Sequence, residues 1–64
     1  MRAYLVDDEP LALRRLRRLL EETGRVDVPG ETSDPAQAVR DVQRLRPDVL
    51  FLDIGVPGLS GLDL

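Results

Sequence analysis

The feature of this sequence that most constrains its fold is the alternation of short apolar runs with longer segments of helical periodicity. Ala3–Val6 and Val49–Leu52 are uninterrupted apolar runs, which have the length of buried strands. Between them, Leu13, Leu16 and Leu20 recur at helical spacing while arginine and glutamate fill the other positions. Strands that alternate with helices predict an α/β fold, with an open parallel sheet and right-handed crossovers.

The ends of the first helix and the place of the second strand can also be predicted. Pro10 suits the first position of a helix, where its missing N–H is not needed, and Gly24 is a C-terminal capping residue. Val26 and Val28 alternate with polar neighbours, which indicates a second strand. Because Pro29 cannot donate a hydrogen bond to a neighbouring strand, we expect this strand at an edge of the sheet.

A second helix is predicted from Asp34–Gln37, which has the pattern of a capping box with proline at the first helical position. Pro47 ends this helix, and its buried stripe is expected to contain Ala38, Val39, Val42 and Leu45. Val49–Leu52 is predicted to be buried on both faces, as in a parallel sheet between helices. The two aromatic residues, Tyr4 and Phe51, are expected in the core. A turn at 55–58 and a helix start at 60–63 are predicted for the rest of the chain.

Composition excludes several kinds of site. The 64 residues form one small domain at most, and they include no cysteine, histidine or lysine. Disulfides, thiolate metal sites and imidazole chemistry are therefore excluded within this chain. The net charge of -3 gives no overall attraction to nucleic acid or anionic lipid, and no stretch is apolar enough to span a membrane. We expect a cytoplasmic protein that makes no direct contact with nucleic acid or membrane.

Acidic residues follow two of the predicted strands. Asp7 and Asp8 come directly after Val6, and Asp53 comes directly after Leu52. In open α/β sheets, ligands bind beyond the carboxyl ends of the strands, so neighbouring strands would bring these carboxylates together. Converging carboxylates repel each other, and a divalent cation relieves that repulsion. Oxygen ligands favour Mg²⁺ or Mn²⁺, and Mg²⁺ beside a carboxylate suits phosphoryl transfer.

A simpler interpretation of the first two aspartates is also open. Acidic residues after a strand often cap the next helix, so Asp8 or Glu9 could serve only that purpose. Asp53, at the end of a second buried strand, favours the cluster over capping, because three acids at strand ends are hard to explain as caps. The arginines of the first helix are most simply a solvated face.

Three motifs, in this order and spacing, resemble the receiver domain of two-component response regulators. They are Val6–Pro10, Asp48–Ile54 and Pro57–Gly61, and the resemblance extends over the whole chain. The segment Asp7–Leu11, followed by an arginine- and leucine-rich helix, is most similar to the start of receivers of LytTR-type regulators. The resemblance implies a flavodoxin-like fold with strand order 2-1-3-4-5, of which residues 1–64 would supply the first three strands in order 2-1-3.

The resemblance also implies residue roles. Asp53 would accept a phosphoryl group from a sensor histidine kinase. Asp8, Asp53 and the backbone carbonyl of Gly55 would bind Mg²⁺ directly, and Asp7 would bind it through a water molecule. Val56 stands where the family usually has methionine, a change that should affect packing only.

The family's fourth and fifth strands supply a Ser/Thr and a Lys that contact the phosphoryl oxygens. We therefore expect residues 1–64 to be a partial receiver domain without a working switch, and expect self-association through the exposed edge of the third strand. One alternative is a pseudo-receiver or gene remnant that only contacts other proteins. Another is a Mg²⁺-dependent phosphatase with an aspartyl-phosphate intermediate, although Gly55 replaces the acid/base aspartate of that class. The chain is not expected to be an enzyme.

Overall fold

The computed structural model describes residues 1–53 and contains three strands and two helices in alternation. The elements are β1 (Arg2–Val6), α1 (Pro10–Glu22), β2 (Asp27–Thr32), α2 (Pro35–Leu45) and β3 (Val49–Leu52). Each corresponds to an element predicted from the sequence. The predicted turn at 55–58 and the third helix start at 60–63 lie outside the described residues.

The three strands form a parallel sheet in the order β2-β1-β3. The predicted fold class and strand order are therefore confirmed. Among the described residues β2 lies at an edge, as Pro29 indicated. One extra residue of β2 falls between the Arg2–Asp27 and Tyr4–Gly30 pairs, and this irregularity accommodates the proline in the ladder.

The two helices cover opposite faces of the central strand. Ala3, Tyr4, Leu5 and Val6 are all buried, and successive side chains point to opposite faces. One face packs under α2 in an apolar cluster that consists of Tyr4, Val6, Ala38, Val42, Leu45, Leu50 and Leu52. On the other face, Leu5 lies with Leu13 and Leu16 of α1. The core is thus centred on β1, which ends at Asp7.

Two residues that were expected in the core lie at the surface instead. Phe51 is 36% exposed and Val39 is 37% exposed. The prediction that β3 is buried on both faces is also wrong, because among the described residues α1 packs over β1 and β2 and leaves Phe51 partly exposed. The buried face of α2 runs through Ala38 and Asp41, so Val39 lies beside this face and not on it.

The helix ends follow the predicted chemistry with one correction. Gly24 has a positive φ of 71° directly after Thr23, the C-cap residue of α1, as expected for a capping glycine. Asp34 caps α2 by accepting a hydrogen bond from the Ala36 N–H at 3.1 Å. The reciprocal half of the capping box is absent, because Gln37 donates to Asp41 and the Asp34 N–H donates to the Thr32 hydroxyl.

Within residues 1–53, neither helix has the length and apolar composition that crossing a membrane requires.

Candidate metal centre at the carboxyl ends of the strands

The two strands that end in aspartate lie side by side. Val6 pairs with Leu52 at the carboxyl end of the β1–β3 ladder. Beyond that pair, the Asp53 N–H donates to the Val6 carbonyl at 2.9 Å, and the Asp7 N–H donates to the Thr32 carbonyl at 3.2 Å. The backbone of both aspartates is therefore fixed to the sheet, which places their side chains at the same edge.

Three carboxylates converge at this edge. Asp7, Asp8 and Asp53 each offer one carboxylate oxygen, and these three oxygens lie within 4.8 Å of one another. Asp7 and Asp53 are partly buried, whereas Asp8 is exposed. The convergence predicted from the ends of two parallel strands is confirmed. The fourth predicted ligand, the carbonyl of Gly55, lies outside the described residues.

Helix capping does not account for this cluster. The N-cap of α1 is Glu9, and its side chain makes no capping hydrogen bond. Asp7 Oδ1 accepts the Glu9 N–H at 3.0 Å, in a local turn that also orients the carboxylate. Capping chemistry thus involves Asp7 in part, but it explains neither the position of Asp8 nor that of Asp53.

The electrostatics of the cluster favour a cation. Three ionised carboxylates at this separation repel one another, by on the order of 1 kcal/mol for each pair in a solvated site. The donors are oxygen atoms only, and two of the three side chains are partly buried. Hard divalent cations such as Mg²⁺ prefer oxygen donors. Mg²⁺ is typically bound by a few carboxylates, and the water molecules that it keeps complete its octahedral coordination. The three residues therefore fit Mg²⁺ better than a metal that prefers nitrogen or sulfur ligands.

An open apolar groove leads to the cluster on the α1 side of the sheet. Its volume is about 430 Å³. It is lined by Leu5, Val6, Asp7, Leu13, Leu16, Phe51, Leu52 and Asp53. Two of the three converging aspartates thus belong to its wall, and the cluster is accessible from solvent along this side.

One buried polar residue and its partner were not predicted from the sequence. Asp41 is only 7% exposed on the sheet-facing side of α2, where it accepts a hydrogen bond from Tyr4. A signal was present, because Asp41 lies three residues after Ala38 and four before Leu45, on the same helical stripe. An acid on an apolar stripe indicates a buried acceptor that has a donor nearby.

The sequence pattern of the response regulator receiver domain matches residues 3–64. The chain belongs to this family. The resemblance found in the motifs is therefore confirmed, and the chain is assigned to the receiver domain of a response regulator in a two-component system.

Individual relatives agree with this assignment. The chain is 45% identical over 64 residues to the transcriptional regulatory protein BtsR of Escherichia coli K12, covering all of this chain and 27% of the relative. BtsR of Salmonella typhi has the same identity and coverage. An uncharacterized response regulatory protein of Vibrio cholerae is 42% identical over 62 residues, covering 97% of this chain and 26% of the relative. The chain thus spans about a quarter of the length of these relatives.

Proposed function

We propose that this chain is the phospho-accepting part of a receiver domain and that it takes a phosphoryl group from a sensor histidine kinase onto Asp53. The observation that carries the proposal is the convergence of Asp7, Asp8 and Asp53 at the ends of β1 and β3. Family membership supports the two-component context. The same proposal treats residues 1–64 as part of a receiver domain that acts in the cytoplasm, as an acceptor and not as an enzyme.

Asp53 is the best acceptor of the three aspartates. Its backbone is held by the hydrogen bond to Val6, and its side chain belongs to the wall of the open groove. Asp8 is exposed at the start of the loop before α1. In the family's motif the acceptor is the aspartate that ends the third strand, which in this chain is Asp53 and not Asp7. An acceptor has to combine a fixed position with access for a partner, and Asp53 combines the two.

The proposed transfer is a substitution at phosphorus. A carboxylate oxygen of Asp53 forms a P–O bond while the P–N bond to the kinase histidine breaks. The imidazole leaves with the electron pair and takes up a proton, and the product is an acyl phosphate. Asp8, Asp53 and the carbonyl of Gly55 would hold Mg²⁺ directly, with Asp7 acting through a water molecule. When bound, Mg²⁺ neutralises the negative charge that the phosphoryl oxygens bring to the site.

The charges of α1 support the absence of direct nucleic-acid contact from this chain. Arg17 lies 3.6 Å from Glu21 and 2.7 Å from Glu31, and Arg18 lies 3.2 Å from Glu22. Arg17 and Arg18 are therefore neutralised by neighbouring carboxylates, which reduces the basic surface of α1.

Taken by itself, the 64-residue chain is proposed to accept a phosphoryl group without a conformational switch. A phosphoryl group shifts an equilibrium only by binding one state better than another, and this chain has no lysine to provide the family's contact. The 64-residue chain is also proposed to self-associate through β3. Phe51 is partly exposed there, and β1 is the only neighbour of β3 among the described residues.

Chemical trapping of the acyl phosphate tests the proposed acceptor. The chain is treated with acetyl phosphate and Mg²⁺, reduced with borohydride, and the modified residue is mapped by mass spectrometry. We expect the label on Asp53, its loss in Asp53→Asn, and its retention in Asp27→Asn, which changes an exposed aspartate at the start of β2. A label on Asp7 or Asp8, or the absence of any label in the unchanged chain, contradicts the proposal.

A further inference from the structure

A fully buried phenol joins the central strand to α2. The Tyr4 side chain is completely inaccessible, and its hydroxyl donates to Asp41 Oδ2 at 2.6 Å. The other carboxylate oxygen, Oδ1, accepts hydrogen bonds from Gln37 at 2.7 Å and from Arg44 at 3.1 Å. Both oxygens of this buried carboxylate are therefore satisfied by donors from β1 and α2.

The sheet is shaped around the Tyr4 ring. A Cβ atom added to Gly30 on the neighbouring strand would lie 2.8 Å from Tyr4 Cε1 and 3.2 Å from the Leu45 side chain. Glycine thus leaves the space that the ring occupies between β2 and α2. With its ring confined in this way, the Tyr4 hydroxyl is held next to Asp41 of α2.

A buried polar network of this kind constrains the position of α2. Removing one partner of such a buried pair is strongly disfavoured, because the other group then loses its hydrogen bond. Displacement of α2 along the sheet would leave Asp41 without the Tyr4 hydroxyl. The hydrogen bond therefore favours one position of α2 on the sheet over neighbouring positions that apolar contacts alone would tolerate.

A short chain of hydrogen bonds connects the N-terminus of α2 to the acidic cluster. The N-cap residue of α2, Asp34, donates its N–H to the Thr32 hydroxyl at 3.1 Å. The carbonyl of Thr32 accepts the Asp7 N–H at 3.2 Å. Tyr4 itself lies three residues before Asp7 on β1. These contacts link the N-terminus of α2 to the turn that holds the backbone of one proposed ligand.

We infer that the Tyr4–Asp41 hydrogen bond is a positioning contact. It couples the position of α2 on the sheet to cation binding at Asp7, Asp8 and Asp53. This inference rests on the proposed Mg²⁺ site. Coupling is reciprocal, so a cation that favours this position of α2 also protects the helix from opening. Tyr4 and Asp41 touch no ligand, and they act through the turn between β2 and α2.

Hydrogen exchange of the 64-residue chain, with and without Mg²⁺, tests the inference. We expect Mg²⁺ to slow exchange of the α2 amides severalfold while those of α1 change less. Tyr4→Phe removes only the hydroxyl and should speed α2 exchange without Mg²⁺ by about fivefold, the effect of one lost hydrogen bond. Asp41→Asn keeps an acceptor for the Tyr4 hydroxyl, so its rate of α2 exchange should fall between those of the unchanged chain and of Tyr4→Phe. Gln43→Ala, at an exposed position of α2, should leave the protection given by Mg²⁺ unchanged.

The outcomes separate the inference from the proposed function. If Mg²⁺ produces no NMR shifts at Asp7, Asp8 and Asp53, the proposed site fails, and the coupling fails with it. If Mg²⁺ shifts those signals and α2 exchange does not respond, the coupling alone is wrong. If Tyr4→Phe speeds amide exchange equally in α1 and α2, the coupling is also wrong, because the hydroxyl then stabilises the whole fold and not the position of α2.

Discussion

The two faces of the sheet are held by different interactions. Under α2, Tyr4 and Val6 are sealed in an apolar cluster, and a buried hydrogen bond to Asp41 fixes the helix. Under α1, an open groove remains between the helix and β3, and an ion pair from Arg17 to Glu31 lies at the helix border. The acidic cluster therefore has one closely packed side, under α2, and one side that faces the open groove, under α1.

The α2 face should be the more sensitive to added volume. In Gly30→Ala the new Cβ meets the Tyr4 ring at 2.8 Å and cannot be accommodated without moving the ring or the helix. We expect a loss of about 1 to 3 kcal/mol in the free energy of unfolding, measured by urea denaturation. Val39→Ala on the exposed side of α2 is the control. A neutral Gly30→Ala would show that the α2 face is not closely packed.

The α1 face should be the more prone to association. Phe51 is partly exposed at β3, and we expect the chain to form concentration-dependent oligomers in analytical ultracentrifugation. Phe51→Lys places a charge at this edge and should raise the dissociation constant by about tenfold. Leu19→Lys, at a 63% exposed position on α1, should have little effect. A chain that stays monomeric at all concentrations would remove β3 as an association surface.

Acid should weaken the α2 face in particular. The hydrogen bond from Tyr4, with those from Gln37 and Arg44, lowers the pKa of Asp41 from its usual value. A carboxyl group with a lowered pKa in the folded state stabilises the fold above its unfolded pKa of about 3.9, and this contribution is lost as the pH falls through the folded pKa. Stability should therefore fall below about pH 4, and less steeply in Asp41→Asn than in Asp27→Asn. Identical pH profiles for the two variants would contradict this role.

Much of this architecture follows from the sequence because the signals are local. Apolar runs gave β1 and β3, leucine spacing gave α1, and Pro29 indicated the edge position of β2. The convergence of Asp7, Asp8 and Asp53 followed from a general property of parallel sheets. Local patterns did not reveal that Phe51 is exposed, since exposure depends on which helix covers β3.

The buried face of α2 was predicted only in part, for a related reason. Val39 and Asp41 are two residues apart, and the apolar pattern alone placed Val39 in the core. Burial of Asp41 depends on the Tyr4 hydroxyl of β1, which donates to it at 2.6 Å, a contact between residues far apart in sequence. The space at Gly30 is also set by the Tyr4 ring, so neither feature can be predicted from a single segment.

The central claim is that the carboxylates at the ends of β1 and β3 form one Mg²⁺ site. An Mg²⁺ titration followed by NMR at Asp7, Asp8, Asp53 and Gly55 tests it most directly. We predict saturable shifts at these residues, weak in affinity, that are abolished by Asp53→Asn and kept in Asp27→Asn. The absence of saturable shifts, or shifts that Asp53→Asn leaves unchanged, would contradict the claim.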